Sequence, residues 1–525
     1  MPEPDNQLPD RCDVVIIGAG AGGLTAGALL ARTGLNIVVL EAESQTGGYL
    51  AGFKRRGFSF NTSIEWLNQC GPGGFVYSIF HHIGADPPEC PQMRRIRRFK
   101  SETFDYLLTA NPNELRDCLI KDFPTEKKGI TAFFRAGEEL GQRLSLLDRR
   151  TVSSETMTLA EKALRGLKML YWALPVIKYI RTPIDKALRQ YFHTEGLRKI
   201  FSTHQSLMSL MVSIGWAYAG NFQACPKGGS RTLAVWLTDQ IRISGSKIIL
   251  NQRVEKILLN DKREASGVLL ADGRSIKARF VITACDIRLL YEQMLPAGTI
   301  PLRLHKALQE ADIYHSAFCI FLGIDCDPTS LGFGEEALNL TRSDVSGKDH
   351  SGGDPHLSVI TILAPSIRDP SLAPPGKGTL LVHCPAYFDY QNNWQTGEGV
   401  SRGKEYSTLK KQYADILLDR IETAFAPDLR RHIEVMEIAT PVTYWRYTGN
   451  TMGTICGVKP TAKNIRAGVA HHQTPVKRLL IGGHCAEYGG GVPIAVRAAA
   501  NASLIVLKEM NQQEYSRLKA VMNGD

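Results

Sequence analysis

The sequence predicts an α/β fold: a discontinuous Rossmann-type dinucleotide-binding domain carrying an inserted α+β domain. Three observations carry this. A buried strand (Val14, Val15, Ile16, Ile17) runs into a glycine turn and a small-residue helix. A second apolar strand, Asn36–Leu40, ends on an acid, Glu41. Two later blocks, around 225–284 and 478–510, resume strands of the same kind far along the chain.

Gly18, Gly20 and Gly23 match G-x-G-x-x-G. In that pattern the first glycine makes the tight turn. The second lets the backbone approach a pyrophosphate, and the third packs helix against strand. The helix start, with Ala21 and Gly22 in its first turn, offers free N–H groups and a positive dipole end to phosphate. Glu41 lies 18 positions beyond Gly23, where this fold needs a carboxylate for a ribose hydroxyl pair. It favours FAD or NAD over NADP, with Ala42 beside it as a further backbone contact. A glycine turn in an unrelated α/β protein is the bland alternative.

The middle block opens at Cys225-Pro-Lys-Gly-Gly-Ser-Arg-Thr-Leu233 and continues with a helix, Leu233–Ile243, and a strand, Lys247–Leu250. A hairpin at Ala271-Asp272-Gly273 and the strand Phe280–Ala284 follow. The last block has a strand at Leu479–Ile481, a polar glycine loop and a helix from about Val492 to Met510, with Pro493 in its first turn. The dinucleotide domain is therefore expected from 1–75, 222–299 and 471–525, and the inserted domain from 76–221 and 300–470.

The chain is long enough for two domains, with 525 residues and 43% hydrophobic content. Its charge of +10 points to anionic partners. No nucleic-acid-binding signature accompanies it, so a membrane surface suits the charge better. The stretch Leu167–Ile180 mixes aliphatics with Tyr171, Trp172 and Tyr179, and Lys168, Lys178 and Arg181 interrupt or follow it. It reads as an interfacial helix on a membrane, or as a core helix with snorkelling lysines. No run of eighteen apolar residues occurs, so a membrane span is not expected. The eleven cysteines include no C-x-x-C and are odd in number, which suits reduced thiols in the cytoplasm. No metal-ligand cluster is apparent. The pairs His81-His82 and His471-His472 are adjacent residues that point apart.

The chain resembles the FAD-dependent phytoene desaturase superfamily, which includes bacterial-type carotenoid desaturases, carotenoid isomerases and retinol saturase-like enzymes. The resemblance rests on the N-terminal fingerprint with Gly47-Gly48 six residues after Glu41. It rests also on Pro226-x-Gly228-Gly229 and on Gly483-His484-x-x-Glu487-x-Gly489-Gly490-Gly491-Val492-Pro493. Departures occur at Gln45, Asn61, Ser63, Cys485, Ala486 and Tyr488.

The resemblance implies noncovalent FAD held by Gly18, Gly20, Ala21, Gly22, Gly23, Glu41, Ala42, Gly47, Gly48, Val254, Gly483, Glu487, Gly491 and Val492. It implies a long apolar polyene or isoprenoid lipid such as a carotenoid or retinoid, desaturated, saturated or isomerised at the flavin. The protein would be peripheral to a membrane on its cytoplasmic side, with a quinone or another electron acceptor as a further partner. Glu487, His484 and Glu65 are the candidate catalytic groups. A covalent link through Cys456 lacks a diagnostic spacing. The rivals are a flavin amine oxidase, which needs an aromatic pair at the flavin and for which Tyr488 and Trp445 are the available rings, and a non-catalytic flavin-bound lipid carrier.

Overall fold

The computed structural model describes residues 8–148, 152–167, 184–202 and 207–524. The first strand, β1 (Arg11–Ile17), lies at the centre of a seven-stranded sheet. β2 (Ile37–Leu40) and then Lys247–Ile249 pair in parallel on one side of it. Ser275–Thr283 and then Leu479–Ile481 pair in parallel on the other. The near end of Ser275–Thr283 also carries an antiparallel extension, Ala265–Leu270 and Val254–Leu259. Three stretches hundreds of residues apart thus build one sheet. Their continuous Val/Ile/Leu runs fit strands covered on both faces.

One face is covered by α1 (Ala21–Ala31), by Arg231–Ile243 and by the helices Val492–Met510 and Gln512–Asn523. The residues of α1 from Gly22 to Ala31 are all buried, as its glycine and alanine content allows. The other face is closed by the hairpin strands, by Leu290, Tyr291 and Met294, and by Leu308.

A second seven-stranded sheet runs in the order 433–439, 316–324, 378–386, 360–363, 337–340, 95–100, 105–109. Ser316–Ile324 is buried at all nine positions, between the helix Lys404–Ala424 on one face and the hairpin 52–61 on the other. A helical layer with Phe133, Phe134, Phe192 and Phe201 at its core adjoins the edge carrying 95–109.

Two stretches pack differently from the expected division. The hairpin Gly52–Arg55/Phe58–Asn61 buries Phe58 and Phe60 against Phe321, Leu363 and Leu381 of the second sheet. Conversely, the helix Phe75–Ile83 buries Phe75, Val76, Ile79 and Phe80 in the core of the first sheet. Its apolar i, i+1, i+4, i+5 spacing places that stripe under the C-terminal helices. The expected interfacial stretch lies outside the described residues from Lys168 to Ile180, as does Arg181. Among the described residues no helix is long and apolar enough to cross a membrane.

Candidate active site

A single cavity of about 1000 Å³ runs from the carboxyl ends of the first sheet to the second sheet. Its floor is the glycine turn. Gly18 has φ +96°, a left-handed conformation that glycine adopts without strain, and donates its N–H to Leu40 O at 2.8 Å. A Cβ built on Gly20 meets nothing within 4 Å, so this backbone faces open cavity. One on Gly23 lies 1.8 Å from Gly18 O. The three glycines thus differ in setting: a left-handed turn at Gly18, open space at Gly20 and close packing at Gly23.

Glu41 braces the turn. Its Oε2 accepts the Ala19 N–H at 2.7 Å and its Oε1 the Glu43 N–H at 3.0 Å. Burial raises its pKa, against the pull of those N–H groups. Gly47 donates its N–H to Ala19 O at 2.8 Å, so it supports the turn from behind, while Gly48 lines the cavity. Gln252 donates its N–H to Glu41 O at 2.8 Å, and Val254 reaches the cavity beside them.

The second helix start, at Gly491 and Val492, opens on the same space. Neither it nor α1 has a side-chain cap, since the N-cap residues are Gly491 and Gly20. Two helix N-termini with free N–H groups thus meet one cavity, an arrangement that suits an anion and a ring carrying negative charge. The donor set fits a dinucleotide: Gly18, Gly20, Ala21, Gly22, Glu41, Ala42, Gly48, Val254, Gly483, Gly491 and Val492 all line it. Gly23, Gly47 and Glu487 do not.

The three candidate catalytic groups separate. His484 lines the cavity, with Nε2 3.5 Å from Cys485 Sγ. Burial lowers its pKa, opposed by Asp286, so the ring is neutral at pH 7. Glu487 instead turns into the protein. Arg497 donates Nε–H to its Oε2 at 2.8 Å, Asn501 donates Nδ2–H to its Oε1 at 3.2 Å, and His472 Nε2 stands 3.4 Å away. Burial alone would raise its pKa, but Arg497 and His472 outweigh that and lower it. Glu487 is a clamp between the loop and the helix Val492–Met510, outside the cavity wall. Glu65 is 5% exposed and accepts Asn61 Nδ2–H at 3.0 Å. Burial lifts its pKa to about 7, against Asn61 and Arg368. It stands behind the wall formed by Thr62 and Ile64.

The sequence reading missed much of the far wall. Tyr49 and Tyr444 both line it, with ring centroids 5.9 Å apart at 51°. Tyr49 donates its hydroxyl to Thr454 O at 2.7 Å and Tyr444 to Thr62 O at 3.1 Å, so the rings are fixed from behind. Phe53 and Phe321, edge to face at 5.1 Å, continue the wall. The adjacency of Tyr49 to Gly48 was a local signal; the pairing with Tyr444 had none. Tyr488 is not in this wall, since it donates its hydroxyl to Asn464 O at 3.0 Å. Cys456 lines the cavity with a thiol pushed up to about 11 by burial, hence protonated and a poor nucleophile at pH 7. One mixed ligand cluster does occur among the described residues. Asp325, Cys326 and His432 bring their ligand atoms within 4.8 Å of one another at adjacent strand ends. They do not line the cavity, and the His432–Asp325 contact of 2.7 Å accounts for the closeness of that pair.

Residues 21–507 match the family described as flavin containing amine oxidoreductases, and the chain belongs to that family. It is an enzyme fold built for a flavin cofactor. Among curated proteins it is similar to all-trans-retinol 13,14-reductase of Danio rerio, 26% identical with 99% of this chain and 90% of that one covered. It is also similar to the chloroplastic prolycopene isomerase of Daucus carota, 26% identical with 94% and 80% covered. Among solved structures, cyclohexylamine oxidase from Brevibacterium oxydans shares the fold, with a TM-score of 0.58, 15% identity and 96% and 100% coverage.

Proposed function

We propose that the protein is an FAD-dependent oxidoreductase that saturates, desaturates or isomerises a long polyene lipid of the retinoid or carotenoid kind, on a cytoplasmic membrane surface. The observation that carries this is the continuity of the cavity. One space joins the glycine turn, both uncapped helix starts and a wall of fixed aromatic rings. FAD, when bound, supplies the two-electron exchange. The chain's own residues bind and orient. Gly18, Gly20, Ala21 and Gly22 would hold the pyrophosphate, Glu41 and Ala42 the ribose, and Val254 the adenine. Gly483, Gly491 and Val492 would lie on the flavin side, with Gly23 and Gly47 shaping the turn. The protonated Cys456 thiol supports noncovalent attachment.

Tyr49, Tyr444, Phe53 and Phe321 offer ring faces to a conjugated chain and exclude water from it. His484 is neutral, half-buried and in the wall, which suits a group that takes or gives the substrate proton. A quinone or another acceptor returns the electrons between turnovers. The purified protein is expected to be yellow and to release FAD on acid denaturation. Anaerobically photoreduced protein should recover its yellow colour with retinol if it saturates, the oxidised form should bleach with a saturated analogue if it desaturates, and the protein should convert a cis-carotenoid to its trans isomer with no net colour change if it isomerises. No absorbance change with any polyene, together with no cis–trans conversion detected by chromatography, would overturn this reading.

The tilted Tyr49–Tyr444 pair favours a second reading, a flavin amine oxidase, because that chemistry uses paired rings. Peroxide formation with putrescine or cyclohexylamine, and none with polyenes, would establish it instead.

A further inference from the structure

The outer part of the cavity differs from its aromatic interior. It is formed by the helix Pro441–Thr448 and the chain leading from it to Met452. Tyr444 of this helix is buried, while Trp445 is 38% exposed, Tyr447 57% and, just beyond it, Met452 42%. All three also line the cavity, so they stand at its mouth. Three cations line the same opening: Arg402, Lys410 and Arg446. None of the three has a carboxylate partner among the described residues. Lys410 Nζ lies 5.6 Å over the Tyr406 ring and donates to Ile438 O at 3.4 Å, and Arg446 lies 5.5 Å over Tyr447. The neighbouring Arg55, by contrast, is neutralised by Glu437 at 2.8 Å.

Exposed rings, a thioether and unpaired cations around one opening have a shared physical use. Aromatic rings settle at the headgroup level of a bilayer, Met enters the acyl boundary, and cations meet lipid phosphates. A soluble anion such as a nucleotide would satisfy the cations, but would leave Trp445, Tyr447 and Met452 facing water. We propose that this mouth is the face that docks on an anionic bilayer, so that the cavity opens directly into the leaflet. The inference rests on the lipid-substrate reading above and gives it an entry route. A polyene would pass from leaflet to cavity without exposing its apolar surface to water.

The test is sedimentation of the holoprotein with phosphatidylcholine vesicles, with and without phosphatidylserine. Wild-type protein should pellet with the anionic vesicles and be released only in part by salt, the apolar contacts holding the remainder. Arg402→Glu/Lys410→Glu/Arg446→Glu should weaken partitioning about a hundredfold, and Trp445→Ser/Tyr447→Ser/Met452→Ser should lose salt-resistant binding. Lys168→Glu/Lys178→Glu/Arg181→Glu should pellet nearly as wild type. Flavin content and melting temperature report whether each variant folds. The single variant Trp445→Phe guards against misfolding: brominated lipid should quench wild-type fluorescence, and Trp445→Phe should lose most of that quenching. The inference is overturned if the mouth variants pellet normally and quenching survives in Trp445→Phe. Loss of pelleting only in the 168–181 set would move the membrane face there. A wild-type protein that ignores vesicles, yet binds a nicotinamide nucleotide through Arg402, Lys410 and Arg446, would make the mouth a soluble-donor site. The polyene reading would stand or fall separately, by turnover in detergent.

Discussion

The two ends of the cavity are made of different material. At the dinucleotide end the wall is mostly backbone: the turn from Gly18 to Gly22, braced at Ala19 by the Glu41 carboxylate, with Gly48, Gly483 and Gly491. At the far end the wall is side chain: Tyr49, Phe53, Phe321 and Tyr444, from segments up to about four hundred residues apart. A backbone wall recognises what every dinucleotide shares and tolerates little change. A side-chain wall sets the shape of one substrate and can vary ring by ring. The contrast explains how a solved amine oxidase can share this fold at 15% identity while curated relatives at 26% are named for retinol and prolycopene.

The sharpest way to break the comparison uses two glycines three residues apart. Gly20 has an extended backbone, φ −76° and ψ −176°, and open space where a side chain would go. Gly20→Val should therefore fold with a nearly wild-type melting temperature and lose flavin at least about a hundredfold, because the branched side chain fills only the pyrophosphate's place. Gly23→Ala should do the reverse. Its Cβ would sit 1.8 Å from Gly18 O, and overpacking against backbone costs more than about 3 kcal/mol. It should be poorly soluble or melt far below wild type. A folded, yellow Gly20→Val protein would show that the turn is not the cofactor site.

The substrate side can be tested through Glu65, buried behind its wall. Its folded pKa, about 7, lies above the ordinary value of 4.5. A raised carboxyl pKa means that the folded protein resists ionisation. Below about pH 4.5 both states are protonated and the residue is neutral to stability. Between about pH 4.5 and 7 the unfolded chain ionises while the folded one does not, so stability falls across that window and levels off above it. Glu65→Gln should match wild type near pH 4 and be more stable by about 3 kcal/mol near pH 9. Parallel melting-temperature profiles for the two proteins would mean that Arg368 or water already stabilises the charge.

Much of the first sheet was legible because each of its elements declares itself locally. The strand Leu479–Ile481 and the helix Val492–Met510 fall where their apolar run and Pro493 place them. The strand ending at Thr283 begins at Ser275, five residues before its apolar run, because pairing with Ala265–Leu270 extends it. The second sheet was not legible. Its penultimate strand Arg95–Lys100 reads Arg-Ile-Arg-Arg-Phe-Lys, a charged run whose two apolar residues, Ile96 and Phe99, are the buried ones. Its hairpin partner 105–109 follows locally, but its pairing with 337–340 is set by distant residues that no local pattern announces. The same holds for the site. His484 was found in a motif, whereas Tyr444 reaches the wall only through a helix whose neighbours are Tyr406, Thr62 and Cys319.

The smallest expected effect concerns the residue on which the motif and the geometry disagree. Glu487 sits in the glycine loop, where a charge on the flavin would be felt, yet its carboxylate faces Arg497, Asn501 and His472. Its pKa is depressed, since Arg497 and His472 outweigh burial. Its contribution to stability is therefore present above the ordinary carboxylate range and is lost as pH falls through the depressed value. Glutamine keeps the shape and the bond from Asn501 but leaves Arg497 without its counter-charge. With Arg497 23% exposed, water takes up part of that loss, and Glu487→Gln should cost about 2 kcal/mol at pH 7. The deficit should shrink in acid, where the wild-type carboxylate is itself protonated. Flavin reduction measured at full occupancy should proceed at the wild-type rate, because nothing of Glu487 lines the cavity. A tenfold slower reduction with an unchanged melting temperature would reverse that assignment and return Glu487 to the chemistry.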